Sequence, residues 1–338
     1  MRSLTFVGPG ALEWREAPRP AIDGPDQALI EPLAVATCDL DVLLLRGRMK
    51  FFGGDFPLGH ECVGRVLEVS EDAGSFKPGD LVIPSFQICC GGCVRCRKGL
   101  TGNCEKIRGT AMYGIGARGG NWGGALSDVL KVPFASGMLV KPPDALRPAD
   151  IASISDNVAD AWRTVAPHLN SRPAAPVMIV GGGSIGLYAV QIAAACGASQ
   201  VTYFDTEPRR LALAERLGAR VQEFTPDRRP GRFPITVSAG ASIDGLSFAL
   251  RSTEPGGVCT DIGIFPGKTT PLPLFDMYIA GITFVTGRVN SRAVLPEVLH
   301  LAAMRKIAPE QVTSRVVQWR DAAEALSDPP DKLVIVRE

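Results

Sequence analysis

The chain has 338 residues, a hydrophobic content of 46% and a formal net charge of +1. This length allows two hydrophobic cores, since domains usually hold about 100–200 residues, and the dispersed, nearly neutral charge gives no reason to expect nucleic acid or an anionic membrane as a partner. The sequence shows neither a signal peptide nor an apolar run of the roughly 18 residues that cross a bilayer, so we expect a cytoplasmic protein.

The first part of the chain is predicted to be mainly β-structure. Short strand-like runs cover residues 4–7, 12–16 and 28–36, and glycine-proline and proline-rich turns separate them. Cys38 follows, and His60 comes 22 residues after it. A cysteine and a histidine at this separation are more often structural than metal-binding, so these two residues alone leave both interpretations open.

Five of the nine cysteines lie between positions 89 and 104. Those with the spacing C-x2-C-x2-C-x7-C are Cys90, Cys93, Cys96 and Cys104. Disulfides are rare in the cytosol, and four thiols packed this densely among glycines suit a closed tetrahedral Zn²⁺ site. We therefore predict a structural zinc lobe at about residues 88–105, with Cys89 as the cysteine left over.

Residues 177–205 carry the pattern of a dinucleotide-binding unit. After an apolar strand at 177–180, the spacing G-x-G-x-x-G is formed by Gly181, Gly183 and Gly186. Such glycines permit a tight turn, a close backbone approach to a diphosphate, and close packing of helix on strand. An apolar helix follows, and the free N–H groups at its start favour a diphosphate there. We assign Ser184 and Ile185 to the same site.

The second strand of this unit ends at Asp205, 19 residues beyond Gly186. A carboxylate at that point can accept hydrogen bonds from both ribose hydroxyls of NAD, and it repels the additional phosphate of NADP. Arg209 and Arg210 follow closely, where they would approach the adenosine. We expect NAD as the cofactor, with NADP less favoured.

The rest of the chain alternates strands and helices. A helix is predicted over residues 207–217, and strands over 233–239 and 257–264. This alternation predicts a parallel, doubly wound α/β sheet. A further helix at 293–304 and a strand at 332–337 close the chain.

Together these features resemble the zinc-dependent medium-chain dehydrogenase/reductase family, the alcohol dehydrogenase group. The similarity extends over nearly the whole chain and includes Cys38, the pair His60-Glu61, the four-cysteine lobe and the glycine pattern with Asp205. It implies an α/β fold in which a Rossmann domain, a doubly wound parallel sheet, is inserted into a mainly-β, GroES-like catalytic domain. On this basis we predict a catalytic domain at residues 1–157 and 289–338, and a dinucleotide-binding domain at 158–288.

The resemblance also implies a catalytic zinc. Its family ligands are a cysteine, a histidine and a third residue just before the dinucleotide domain, which match Cys38, His60 and Asp156 here. By the same match, Glu61 is either an outer neighbour of the metal or an exchangeable ligand, and Asp41 orients His60. With the lobe, we expect two Zn²⁺ ions per chain, one catalytic and one structural.

Four positions depart from the family pattern. Many members pass the alcohol proton outward through a Ser or Thr and a His, but the matching residues here are Leu40 and Leu43, neither of which can carry a proton. Asp39 replaces a basic residue that often touches the diphosphate, and Asp160 replaces a threonine near the nicotinamide. Asp160 is a general base, a partner for a cationic substrate, or a group that only meets solvent and backbone, and the sequence leaves these alternatives open.

Two further segments take their expected roles from the resemblance. Ile262, Gly263 and Ile264 match the family loop that lies along the nicotinamide. Residues 271–287 match the segment through which family subunits pair by sheet extension, so a homodimer or homotetramer is expected.

The sequence therefore predicts a zinc-dependent, NAD-linked oxidoreductase that moves a hydride between the nicotinamide and an alcohol or carbonyl carbon. The absent proton relay leaves open an alternative, reduction of a C=N or activated C=C bond. A dinucleotide-binding protein without turnover is a third possibility, which the complete set of ligands opposes. The substrate itself is small but not identifiable, because the loops at 50–56 and 112–122 that would line its site carry no readable code.

Overall fold

The computed structural model describes residues 1–48, 54–228, 230–265 and 267–337. The chain forms two compact units, and the first comprises residues 1–159, 290–303 and 309–338. The second unit comprises residues 160–289 and 304–308. Most of the loop at 50–56, which we expect to contact the substrate, lies outside the described residues.

The two units differ from the predicted domains at residues 158–159, which group with unit 1, and at residues 289 and 304–308, which group with unit 2. Two hydrogen bonds join Ala308 to Gln191 of unit 2. The side chain of Gln191 donates to the carbonyl of Ala308 and accepts from its N–H, each at 3.0 Å.

Unit 1 contains short helices and strands in both of its main stretches. Its N-terminal stretch forms β1 (Arg2–Gly8), β2 (Ala11–Glu16), β3 (Ala28–Ala36), α1 (Asp39–Leu45), β4 (Phe56–Pro57), β5 (Glu61–Val69), β6 (Leu81–Pro84), α2 (Val94–Arg97), α3 (Gly116–Gly119), β7 (Leu130–Val132), α4 (Ala135–Met138) and β8 (Leu139–Val140). A π-helical turn at Ile154–Val158 leads into the helix α5 (Ala159–Ser171).

Unit 2 alternates strands with helices, as the sequence predicts. After α5 come β9 (Val177–Val180), α6 (Gly183–Ala195), β10 (Val201–Asp205), α7 (Pro208–Arg216), β11 (Arg220–Glu223), β12 (Phe233–Ser238), α8 (Ile243–Arg251), β13 (Thr253–Asp261), α9 (Leu274–Ala280) and β14 (Thr283–Val285). Unit 1 then resumes with α10 (Ser291–Ala303), β15 (Arg315–Gln318), α11 (Ala322–Ser327) and β16 (Leu333–Val336).

The main sheet of unit 1 joins both ends of the chain. Among the described residues its strands run in the order β15-β16-β3-β5-β6-β8, with β7 also paired to β3. The register places Ala36 of β3 opposite both Glu61 of β5 and Val334 of β16. The residues just beyond these strand ends, at 37–38, 60 and 332, therefore meet at one edge of the sheet.

The sheet of unit 2 is parallel throughout, with the order β11-β10-β9-β12-β13-β14 among the described residues. Counted from β9, this is the order 3-2-1-4-5-6 of a Rossmann fold. The order reverses between β9 and β12, and in such sheets the ligand crevice lies beyond the carboxyl ends of the strands at that reversal. The predicted fold is confirmed.

Each unit has its own core of buried apolar side chains. In unit 1 one large cluster of buried side chains includes Leu58, Val82, Leu126, Met138 and Ile335. In unit 2, strand β9 is buried at every residue, as expected for the central strand of a parallel sheet covered by helices on both faces.

Among the described residues, no helix combines the length and the apolar composition that a membrane crossing requires.

Candidate metal centres and dinucleotide site

The predicted lobe brings its four sulfur atoms together. The thiols whose Sγ atoms lie within 4.8 Å of one another are those of Cys90, Cys93, Cys96 and Cys104. The sulfur of Cys93 accepts hydrogen bonds from the backbone N–H groups of Cys96 at 3.4 Å and Glu105 at 3.5 Å, and these lower the pKa of its thiol to about 6. The backbone thus favours the thiolate form, which is the form that binds a metal.

A second thiolate position in the lobe is supported in the same way, because the N–H of Cys90 donates to the sulfur of Cys104 at 3.4 Å. The neighbouring thiol of Cys89 donates instead to the carbonyl of Gly137 at 3.3 Å and is not one of the four. Four converging thiols, two of them with backbone N–H donors, fit a closed Zn²⁺ site.

A second cluster forms at the sheet edge where β3 and β5 end and begin. The ligand atoms of Cys38, His60 and Asp156 lie within 4.8 Å of one another, and all three residues are buried. Cys38 follows β3 and caps α1, while His60 directly precedes β5. Cys38 and His60 are 22 residues apart in sequence but lie close in space, because β3 and β5 pair with Ala36 opposite Glu61.

The ring of His60 is held between two carboxylates. Its Nε2 lies 3.2 Å from Oδ2 of Asp156, and its Nδ1 lies 3.5 Å from Oδ1 of Asp41. The Nδ1 contact is an ion-pair distance without hydrogen-bond geometry, so Nδ1 has no hydrogen-bond partner among the described residues. Asp41 also accepts from the N–H of Cys38 at 2.9 Å, and this bond fixes the start of α1.

The carboxylates around this cluster favour a bound cation. Burial, and then the charges of Asp156 and Asp41, raise the pKa of the Cys38 thiol well above its ordinary value. Burial acts to lower the pKa of His60, but Asp41 and Asp156 outweigh it and raise this pKa to about 9. A divalent ion would relieve both effects, because it stabilises a thiolate and neutral imidazole among carboxylates. The residues present therefore fit a bound Zn²⁺.

Glu61 does not join the three converging ligand atoms. Its Oε1 accepts from the N–H of Asn157 at 2.6 Å, and its Oε2 lies 3.1 Å from Nζ of Lys332. Burial is the main reason that the pKa of Glu61 is raised to about 8, although the charge of Lys332 opposes it. Of the two roles that the resemblance allows for Glu61, this geometry fits the outer neighbour and not the ligand.

Asn157 and Lys332 are residues that the sequence reasoning missed. Lysine is rarely found in a core, yet Lys332 is fully buried and donates to Asn157, Glu61 and the carbonyl of Thr37. The only sequence signal was a lysine placed directly before the apolar strand β16, and that pattern is too common to single out a site.

In unit 2, the glycine loop after β9 lies where the strand order reverses. A Cβ on Gly186 would lie 2.1 Å from the carbonyl oxygen of Gly181, so the first turn of α6 requires glycine there. Gly182, an unspecified position of the sequence pattern, has φ +84° and no room for a side chain, since a Cβ would lie 2.4 Å from Cβ of Ala239. With Gly183 at its first residue, α6 presents its N-terminus to this loop.

Ser184 and Ile185 of this site are buried in the first turn of α6. Asp205 ends β10 as predicted, but its carboxylate is already occupied. It accepts from the hydroxyl of Tyr203 (2.7 Å), the N–H of Glu207 (2.8 Å), and both Nε (2.8 Å) and Nη2 (2.7 Å) of Arg210. Four donors match the four lone-pair sites of a carboxylate. The ribose hydroxyls of NAD would therefore have to displace one donor, and Arg210 is the one on a long side chain.

Comparison with known proteins identifies the family. Residues 24–144 match the family described as "Alcohol dehydrogenase GroES-like domain", and residues 184–304 match the family described as "Zinc-binding dehydrogenase". L-galactonate-5-dehydrogenase of Escherichia coli is 33% identical over 280 residues, which cover 79% of this chain and 77% of that protein. The chain belongs to the zinc-dependent medium-chain dehydrogenase/reductase family.

Two other similarities support this membership. Glutathione-independent formaldehyde dehydrogenase of Pseudomonas aeruginosa is 30% identical over 307 residues, covering 86% of this chain and 74% of that protein. The solved structure of an alcohol dehydrogenase from Thermus sp. ATN1 superposes with a TM-score of 0.91 at 28% identity, over 100% of both chains. The protein is thus an oxidoreductase of the zinc-type alcohol dehydrogenase group.

This medium-chain dehydrogenase/reductase has apolar side chains at both positions that the resemblance matches to the family's proton relay. Leu40 and Leu43 lie on α1, close in sequence to Cys38, and both are partly buried. Asp39 begins the same helix, where a carboxylate interacts favourably with the helix dipole. This local role is sufficient to explain an acid at position 39.

Asp160, the remaining departure, forms an ion pair with Arg163 one helical turn later in α5. The two side chains are 14% and 15% exposed, so the carboxylate is neither open to solvent nor unpaired. A carboxylate held by a guanidinium is a weaker base and a weaker partner for a cationic substrate. The geometry therefore favours neither of the chemical roles considered for Asp160.

The segment matched to the nicotinamide loop follows β13 at the carboxyl edge of the unit 2 sheet. The N–H of Ile262 donates to the carbonyl of Ser238 at 3.1 Å, and the N–H of Gly263 donates to Oδ2 of Asp261 at 3.1 Å. Ile264 is 57% exposed, an unusual position for a large apolar side chain. An exposed isoleucine at this edge is available to a ligand.

Proposed function

We propose that this protein is a zinc-dependent, NAD(H)-linked oxidoreductase that transfers a hydride between nicotinamide and the carbon of a small alcohol or carbonyl substrate. The observation that carries this proposal is the buried set of Cys38, His60 and Asp156. Three protein ligands of this kind leave one tetrahedral position for substrate, as catalytic zinc sites do. When bound, Zn²⁺ supplies Lewis acidity at the substrate oxygen.

The side chains around the site hold its geometry. Cys38, His60 and Asp156 bind the metal, and Asp41 keeps the His60 ring with Nε2 directed towards Asp156. Glu61 is proposed to act indirectly. It accepts a hydrogen bond from the backbone N–H of Asn157, which fixes the backbone next to the third ligand. Since Leu40 and Leu43 carry no proton, proton exchange with solvent would proceed through water.

For the cofactor, we propose that the N-terminus of α6 and the glycine loop bind the diphosphate, and that Ile262, Gly263 and Ile264 lie along the nicotinamide, which accepts or supplies the hydride when bound. The negative charge of Asp205 supports a preference for NAD over NADP. Arg210 neutralises part of that charge, so we expect the preference to be modest, on the order of tenfold, or about 1.4 kcal/mol.

For assembly, we propose a homodimer or homotetramer that pairs through residues 271–287. In this segment β14 lies at an edge of the described sheet, and α9 exposes large apolar side chains, namely Leu274, Phe275, Tyr278 and Ile279. Contiguous exposed apolar residues of this size are typical of an interface. Light scattering on Phe275→Lys and Tyr278→Lys variants should show smaller species than the unmodified protein, and an unchanged mass would contradict this assembly.

The catalytic proposal is tested by following NADH absorbance with alcohols, aldehydes and ketones, and with imines and activated alkenes in parallel. Turnover of an alcohol-carbonyl pair supports it. The apolar residues at positions 40 and 43 favour one second candidate, reduction of C=N or activated C=C bonds. Turnover confined to the last two substrate classes would support that candidate instead.

The cofactor proposal has its own test in binding measurements. Asp205→Ala should weaken NADH binding and improve NADPH binding relative to it, since the variant lacks the ribose acceptor and leaves Arg210 to meet the phosphate. Equal affinity of the unmodified protein for NADH and NADPH would refute the role given to Asp205.

A further inference from the structure

The side chain of Asn157 is held between two of the proposed metal ligands and Lys332, and the proposed function assigns no role to the side chain of Asn157 or to Lys332. Its Nδ2 donates to the sulfur of Cys38 at 3.2 Å and approaches Oδ2 of Asp156 at 3.4 Å. Its Oδ1 accepts from Nζ of Lys332 at 2.7 Å. Asn157 and Lys332 are both fully buried, so water does not compete for these bonds.

Lys332 determines which end of the amide faces the sulfur. The oxygen and nitrogen of an asparagine amide have nearly the same shape, so the group can bind in two orientations related by a half-turn. An ammonium group has three donors and no acceptor, and it therefore tolerates only Oδ1 beside it. The reversed amide would place Nδ2 against the ammonium group, and Oδ1 against the sulfur and the carboxylate of Asp156.

Lys332 is itself fixed in place by the sheet edge. Its Nζ donates to the carbonyl of Thr37 and lies 3.1 Å from Oε2 of Glu61. Glu61 in turn accepts from the backbone N–H of Asn157 at 2.6 Å, which closes a ring of buried contacts. A buried ion pair contributes little net stability because desolvation offsets its attraction, so stability alone does not account for this ring.

We propose that Asn157 and Lys332 are positioning residues for the thiolate of Cys38. Lys332 orients the amide, and the amide N–H stabilises the negative charge on the sulfur. Hydrogen bonds to charged acceptors are roughly twice as strong as neutral ones, and such outer partners tune the donor strength of a metal ligand. A thiolate that accepts this bond gives less electron density to a metal. The inference rests on the proposed function only in taking Cys38 as a metal ligand.

The test uses Co²⁺ in place of Zn²⁺ and reads the thiolate-to-metal charge-transfer band that Cys38→Ser removes. Asn157→Leu deletes the N–H donor with little change of shape, so the sulfur gives more electron density to the metal and the band should move to longer wavelength. Lys332→Met combined with Glu61→Gln leaves no unpaired charge and frees the amide to turn. It should shift the band in the same direction, by less. Glu61→Gln alone, which retains Lys332, measures the effect of losing the Glu61 charge, and the double variant should shift the band further than it does.

The outcomes separate the two claims. If Cys38→Ser removes no band, Cys38 is not a metal ligand and the proposed function fails. If that band exists but stays at the same wavelength in Asn157→Leu and in the double variant, the positioning role is wrong while the metal site stands. Unfolding of both variants by circular dichroism, with Glu61→Gln folded, would assign the pair to structure alone and would also overturn the inference.

Discussion

The two ligand clusters of unit 1 are built in different ways. The lobe takes its four thiols from one short stretch, and backbone N–H groups support the sulfurs of Cys93 and Cys104. The other cluster takes three different ligand types from distant parts of the chain. Buried charged side chains surround it, among them Asp41 and Lys332.

This difference matches the distinction that we propose between a structural zinc site and a catalytic one. Four thiolates fill a tetrahedral zinc site, whereas three ligands leave a position for substrate. A set of local backbone bonds ties the lobe to its own loop. The second cluster depends instead on the pairing of β3, β5 and β16, so its chemistry is coupled to the whole sheet.

The largest effect is expected in the lobe. Cys104→Ser should lower the free energy of unfolding by several kcal/mol, because a structural zinc contributes folding free energy directly, on the order of 10 kcal/mol in small zinc-binding domains. Thermal unfolding followed by circular dichroism measures the loss. The matched control is Cys89→Ser, which lies in the same loop outside the four thiols and retains a donor for Gly137. Equal losses of unfolding free energy in the two variants would show that the four thiols stabilise the fold no more than Cys89 does.

The second effect concerns turnover. Cys38→Ala and His60→Ala should lower kcat/KM by at least about 10³-fold, or some 4 kcal/mol, while the protein stays folded and still binds NADH. Steady-state kinetics and fluorescence titration with NADH measure the two quantities. Cys62→Ala, a buried core thiol two residues beyond His60, serves as the control. Near-normal activity of Cys38→Ala would show that the three-ligand cluster is not needed for turnover.

A third effect is expected from metal removal. Under a chelator, the three-ligand cluster should release its metal before the four-thiol lobe, because fewer protein ligands hold it. Activity should therefore disappear while circular dichroism and melting temperature are unchanged, and added Zn²⁺ should restore it. Simultaneous loss of activity and fold would mean that the clusters are not separable.

The smallest effect tests a group outside both clusters. Asp160→Asn should change kcat by less than about fivefold, since Arg163 already neutralises this carboxylate, whereas loss of a general base would cost about 10²-fold or more. Asp150→Asn, an acid paired in the same i,i+3 manner with Arg147, provides the matched control. A hundredfold loss of kcat confined to Asp160→Asn would show that Asp160 takes part in catalysis together with Cys38, His60 and Asp156.

The same contrast explains how much the sequence could predict. The lobe was predictable from spacing alone, because all four thiols lie within one loop. Cys38 and His60 were ambiguous from the residues, and only the family resemblance joined them to Asp156. Their proximity depends on the long-range register of β3 and β5, which no local pattern encodes.

The remaining differences also have physical causes. Strand β13 begins at Thr253 and not at the predicted residue 257, because the run Glu-Pro-Gly-Gly looks like a turn while Thr253 pairs with Phe233 across a register shift. Gly182 occupies an unspecified position of the glycine pattern, so its close approach to Ala239 could not be read from the sequence. Lys332 escaped notice because lysines are normally exposed.

The most direct test of the account is the zinc content of the folded protein and of its Cys38→Ala variant. Two zinc ions per chain in the unmodified protein and one in Cys38→Ala, with its fold and NADH binding retained, are the predicted results. One zinc ion per chain in both proteins would show that Cys38, His60 and Asp156 hold no metal, and it would contradict the catalytic site proposed for this enzyme.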